Sequence, residues 1–128
     1  MRLGILGDGR AARTLVPKLA RAGHELAWRW SRKDGQSIAS LPSADVILLA
    51  VSDGAIGEVA TALGQRPSAA EEVWLHLSGA LPSSVARCDQ TRPRAVGTLH
   101  PMVALPGDDA SNTLLHDATC GIAGDDQA

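Results

Sequence analysis

The feature that most constrains this chain is its opening. An apolar run, Arg2-Leu3-Gly4-Ile5-Leu6, passes directly into Gly7-Asp8-Gly9-Arg10-Ala11-Ala12. The run reads as a buried strand. The residues from Arg10 to Ala22 read as a helix with Ala11, Ala12, Leu15, Leu19 and Ala22 on one face. Between them stands G-x-G-x-x-A, a spacing with a physical reason at each fixed position. Gly7 permits the tight turn. Gly9 has no Cβ, so a pyrophosphate can approach the backbone. Ala12 is small enough for the helix to pack closely on the strand. The helix N-terminus offers unpaired N–H groups and a partial positive charge. Gly7, Asp8, Gly9, Arg10, Ala11 and Ala12 are therefore candidate contacts for a dinucleotide.

The remaining chain fits one domain built around that turn. It has 128 residues, 45% of them hydrophobic, but no Phe and no Tyr. The core must come from Leu, Val, Ile and Ala, with Trp28, Trp30 and Trp74 as the aromatics. A net charge of −2 with no basic block argues against nucleic acid as a partner. The longest clean apolar run, Val46 to Val51, is too short to span a membrane. No signal-peptide pattern precedes the first strand, and Cys88 and Cys120 form no C-x-x-C. The expectation is a cytoplasmic protein with reduced thiols, a disulfide between them being the lesser alternative. No His, Cys, Asp or Glu set has metal-ligand spacing, so no metal is expected.

Further elements follow from periodicity. Glu25 to Trp30 is a strand with Leu26, Trp28 and Trp30 on one face, and Arg29 marks it as an edge or wet-faced strand. Pro17 should kink the first helix, and Gly23 should stop it. Asp34 to Ala44 is too short for a full helix and strand, so the sheet should lack one outer strand. Asp45 to Val51 is a central parallel strand. Ile56 to Leu63 is a helix, Gln65 to Ala70 a loop, and Glu72 to Leu77 a strand. Leu81 to Cys88 should form one or two helical turns, and Ala95 to Leu99 another strand. Asn112 to His116 should form a helical turn, and Ala118 to Ala123 a last strand. These elements imply a single doubly wound α/β domain with a mostly parallel sheet of about six strands.

In such a sheet, ligands meet the carboxyl ends of the strands. The residues just after each strand are Gly7 to Ala12, Ser31 to Lys33, Ser52-Asp53, Ser78-Gly79 and His100-Pro101. At the tip of the second strand an acid would favour NAD, whereas cations accommodate a 2′-phosphate. Ser31, Arg32 and Lys33 stand there, so NADP(H) is the expected cofactor. Ser78 and His100 are candidate catalytic groups, His100 as a proton donor or acceptor. His76 is expected to pack inside, and His116 to lie on the surface.

Three runs also resemble a known group: Val51-Ser52-Asp53-Gly54-Ala55-Ile56, His76-Leu77-Ser78-Gly79-Ala80-Leu81-Pro82-Ser83 and Gly97-Thr98-Leu99-His100-Pro101-Met102. They look like the N-terminal domain of Rossmann-like oxidoreductases similar to pyrroline-5-carboxylate reductase, prephenate dehydrogenase and the 6-phosphogluconate dehydrogenase superfamily. The resemblance implies that Gly7, Gly9 and Ala12 hold the pyrophosphate and that Ser31-Arg32 grips the 2′-phosphate. It places Val51 and Ser52 along the nicotinamide ribose, with Asp53 and Ile56 of the same run among the contacts. Ser78 and Gly79 would lie near nicotinamide and substrate. Enzymes of that group continue into a helical C-terminal domain, which the chain is expected to lack, so residues 1–128 are read as the dinucleotide-binding domain alone. The implied activity is hydride transfer with a small carbonyl, imine or hydroxy acid. The alternative is a nucleotide-responsive binding module or protein-interaction domain without catalysis. A second copy or partner subunit could cover the strand-end rim.

Overall fold

Alternation along β1 (Arg2–Leu6) sends Leu3 and Ile5 to one side and Gly4 and Leu6 to the other, and all four are buried. In the computed structural model, which describes residues 1–66, 72–87, 95–107 and 115–124, this strand lies inside a six-stranded sheet. The elements that follow are α1 (Arg10–Arg21), β2 (Glu25–Trp30), β3 (Val46–Leu49), α2 (Ile56–Gly64), β4 (Val73–His76), β5 (Ala95–Pro101) and β6 (Cys120–Gly124). The strand order is β2-β1-β3-β4-β5-β6. The first five strands are parallel and β6 runs antiparallel to β5. This is the expected doubly wound α/β sheet, with no strand outside β2 among the described residues.

Helices cover both faces. On one face α1 brings Ala12 against Ile5, Leu48 and Ala50. On the other, α2 packs Ile56, Val59, Ala60 and Leu63 onto Leu6, Ile47, Leu49 and Trp74. No helix among the described residues is long and apolar enough to cross a membrane.

One local expectation needs correcting. The register of β2 shifts between Leu3 and Gly4, so Leu26 pairs with Leu3 and Trp28 with Gly4. That irregularity breaks the two-residue alternation and sends Leu26 to the opposite face from Trp28. Pro17 lies inside α1, which continues past it to Arg21. The proline removes only the bond to the carbonyl of Arg13, an exposed residue, so solvent can take it. The Leu81–Cys88 segment makes a single 3-10 turn over Ser83–Ala86, with Pro82 ahead of it. Cys88 and residues 112–114 lie outside the described residues; Leu115 to Asp117 form a turn, and Cys120 is exposed and free.

The connection from β2 to β3 replaces a helix and a strand with two 3-10 turns, Arg32–Asp34 and Ile38–Ser40. Beyond the bonds within those turns, part of its backbone is satisfied from outside. Trp30 Nε1 donates to the Gln36 carbonyl at 2.7 Å and Trp28 Nε1 to the Pro42 carbonyl at 2.9 Å. Gly4 has no Cβ because the Trp28 ring occupies that space. Arg66, buried, donates to the carbonyls of Leu41 and Pro42 and pairs with Glu72. Glu72 in turn accepts from Ala44 N at 3.0 Å and Trp74 Nε1 at 3.1 Å. A buried ion pair is tolerable only when its remaining lone pairs and protons are used, and here they are.

Candidate functional site

The glycine turn forms where β1 hands over to α1. Gly7 adopts φ 124°, and a Cβ there would lie 2.1 Å from the Ala50 carbonyl oxygen. Its N–H donates to the Trp30 carbonyl at 2.8 Å, locking the turn onto the end of β2. Gly9 caps α1 without a side-chain hydrogen bond, and the first turn of α1 has no acid. A Cβ on Gly9 would meet no protein atom within 4 Å. The free N–H groups of the first turn therefore open onto space rather than onto the protein. An anion such as a pyrophosphate fits this end of the helix on charge and on access. Ala12 is 1% exposed against the sheet, in the packing role its size suggested.

Two grooves meet at this turn. The first, of about 350 Å³, runs between Gly7, Asp8 and Gly9 on one side and Ser31, Arg32 and Lys33 on the other, with Trp30 and Ala55 in its walls. The second, of about 440 Å³, extends from Arg10 and Ala11 to Leu77, His100, Val103 and Leu105. Gly9, Ala50, Val51 and Ser52 line both. The result is one trough along the carboxyl ends of the strands, crossing the α1 N-terminus midway.

The two cations of the first groove are each paired with a carboxylate, that of Arg32 lying outside the groove's lining. Lys33 Nζ lies 3.3 Å from Asp8 Oδ2, and Arg32 Nη2 lies 3.5 Å from Glu58 Oε2 on α2. Ser31 is buried, and its N–H donates to Asp34 Oδ2 at 2.7 Å, which fixes the turn that presents Arg32 and Lys33.

In the second groove His100 is half-buried. Its Nδ1 faces the Leu77 carbonyl oxygen at 3.1 Å, so Nδ1 donates, and in the neutral ring Nε2 is the acceptor. The ring occupies the space that a side chain at Gly79 would need, with Nε2 2.5 Å from that Cβ position. Leaving β5, the chain folds back over α1, and Gly107 N donates to the buried Thr14 hydroxyl at 2.9 Å. That bond holds the segment carrying Val103 and Leu105 as an apolar wall beside His100.

Several candidates stand elsewhere. Ser78 lines neither groove, and its hydroxyl accepts from Ala80 N and Leu81 N at 3.1 and 3.2 Å, so it shapes the turn after β4. Ile56 is fully buried in the core, because its position on α2 faces the sheet, and cannot contact a ligand in the trough. Asp53 is exposed in the 3-10 turn before α2 and lines neither groove. His76 is fully buried with Nε2 3.1 Å from the Pro82 carbonyl, and His116 is exposed. Sequence patterns did not reveal Glu58, Val103 or Leu105. The last two follow His100-Pro101 closely enough that the strand-end rule could have found them. Among the described residues, no three His, Cys, Asp or Glu side chains could hold a metal ion.

The parallel strand order and a glycine turn at the carboxyl end of β1 define a Rossmann-like doubly wound domain. No family model matches the chain, and no curated protein matches it. Solved structures do. A "putative NADP oxidoreductase" from Bacteroides fragilis has a TM-score of 0.78 at 17% identity, over 97% of this chain and 51% of that one. A semialdehyde dehydrogenase NAD-binding protein from Cupriavidus necator, in complex with calcium and NAD, scores 0.64 at 19% identity, over 96% and 51%. Protein TM1727 from Thermotoga maritima scores 0.61 at 17% identity, over 98% and 50%. The chain spans about half the length of each, and the likeness is one of fold.

Proposed function

We infer that this chain binds a nicotinamide dinucleotide along the trough, with NADP(H) preferred. The observation that carries this is the meeting of two grooves at the uncapped α1 N-terminus, beside a Gly9 whose missing side chain leaves the approach open. Gly9, Arg10 and Ala11 would hold the pyrophosphate. Arg32 and Lys33 line the first groove, where a 2′-phosphate would lie, and Val51 and Ser52 border both halves. Two of the similar structures are named for NADP and for NAD, which agrees with a nicotinamide dinucleotide of either kind. Such a cofactor supplies hydride transfer at C4 of its nicotinamide, here with a small carbonyl, imine or hydroxy acid. The chain's own residues orient it and exclude water: Leu77, Val103 and Leu105 line the second groove, and His100 Nε2 offers an acceptor to a hydroxyl or amide there. This follows the likeness to pyrroline-5-carboxylate reductase and its relatives in the runs around Ser52, Ser78 and His100. A binding module without catalysis is the second reading, favoured by the Ser78 hydroxyl being engaged by two backbone N–H groups.

Thermal unfolding tests the inference. Ligand at a hundred times its dissociation constant stabilises a native state by about 2.7 kcal/mol. In a domain of this size saturating NADPH should raise the Tm by about 10 °C. No shift with either NADPH or NADH would refute it. Arg32→Asp should weaken NADPH about tenfold or more and leave NADH nearly unchanged, because charge-assisted bonds to phosphate are worth about 1.5–3 kcal/mol. Calorimetric titration of both cofactors reads the difference.

A further inference from the structure

The two cations assigned above to the 2′-phosphate are each already held by a carboxylate, and the carboxylates come from different places. Asp8 belongs to the glycine turn and reaches Lys33; Glu58 belongs to the first turn of α2 and reaches Arg32. The formal charges of these four side chains cancel. Glu58 touches Arg32 only at Nη2, so a phosphate that enters this corner can bond the guanidinium's other N–H donors, but it does so beside the Glu58 carboxylate. We propose that Glu58 sets this groove's preference between dinucleotides with and without a 2′-phosphate, by holding a negative charge beside Arg32. The proposal rests on the dinucleotide reading of the trough and concerns only its selectivity.

Glu58 has two opposing effects. It orders Arg32 near the groove, which helps any anion that follows, and it presents a negative charge that repels a phosphate. Exposed ion pairs at such distances are weak, so the ordering is worth little. The repulsion acts on a group carrying close to two charges, and it is the larger effect. Asp8 differs in kind. It stands inside the turn that faces the pyrophosphate, which both dinucleotides share, so its charge opposes both, and NADPH the more because it also holds Lys33. The two carboxylates therefore leave different signatures.

The experiment is calorimetric titration of NADPH and NADH into the chain and into Glu58→Gln and Asp8→Asn. Glu58 is exposed, so the exchange leaves the core packing intact. Glu58→Gln should tighten NADPH by about two- to fivefold and leave NADH unchanged. Glu58→Lys should widen that gap. Asp8→Asn should tighten both dinucleotides, NADPH somewhat more because Lys33 is released. Glu58→Gln shifting both dinucleotides equally, weakening NADPH or changing nothing would overturn the proposal while leaving the dinucleotide site standing. A chain that binds neither dinucleotide overturns both.

Discussion

A methyl group placed on Gly7 would lie 2.1 Å from the Ala50 carbonyl oxygen, while one placed on Gly9 would meet no atom within 4 Å. The two glycines serve different ends, the first the fold and the second the space for a ligand. Gly7→Ala should destabilise by at least about 2 kcal/mol, since it adds a backbone clash to a positive φ, and lower the Tm by about 10 °C. Gly9→Ala should keep stability within about 1 kcal/mol, yet weaken NADPH about tenfold by filling the approach. Melting and titration of the two variants side by side check this contrast. Gly79 is a third case. Gly79→Ala should push the His100 ring off the Leu77 carbonyl, a change that nitrogen NMR of the imidazole would report as a mixed tautomer in place of a single one.

Among the elements, the shortened β2–β3 connection depends most on residues far from it in sequence. Two indoles, Arg66 and Glu72 together satisfy its carbonyls and the Ala44 N–H. Removing one partner of a buried pair leaves the other charge stranded, so Glu72→Gln should cost about 3–5 kcal/mol, seen as a lower urea midpoint. The double variant Arg66→Met/Glu72→Met should recover part of that loss, because no buried charge remains. The length of Asp34 to Ala44 was enough to show that a strand is missing. The device that compensates was not legible, because a lone Arg in a loop and a Glu at a strand start look like solvated charges. Only the fold brings them beneath the Leu41 and Pro42 carbonyls. The same holds for Leu26, whose face depends on a register shift that periodicity cannot contain.

At the scale of the molecule, the strand ends were a better guide to which residues meet in the trough than to which atoms face it. Gly7, Ser31, Ser52 and His100 meet along one trough, because parallel strands bring their carboxyl ends to one rim. Ser78 shares the rim and still spends its hydroxyl on its own turn, since serine bonds nearby backbone readily. Ligand binding should be felt along the trough and little elsewhere. With NADPH, amide hydrogen exchange should slow most at residues 9–13, 31–33 and 50–52 and least in β6; equal slowing in all of them would count against placing the ligand in the trough.

The strand order has a consequence for how the molecule is made. Once β1 and β2 have paired, β3 adds beside β1, and β4, β5 and β6 then each add outside the strand before them. From β3 onward, position in the sheet and position in the chain increase together. Chains leave the ribosome from the N-terminus and begin to fold on the way out. Each later strand therefore emerges to find its docking edge already present, and a strand that pairs out of register disturbs none laid down earlier. Synthesis can build this sheet as a wall is laid, one course upon the last.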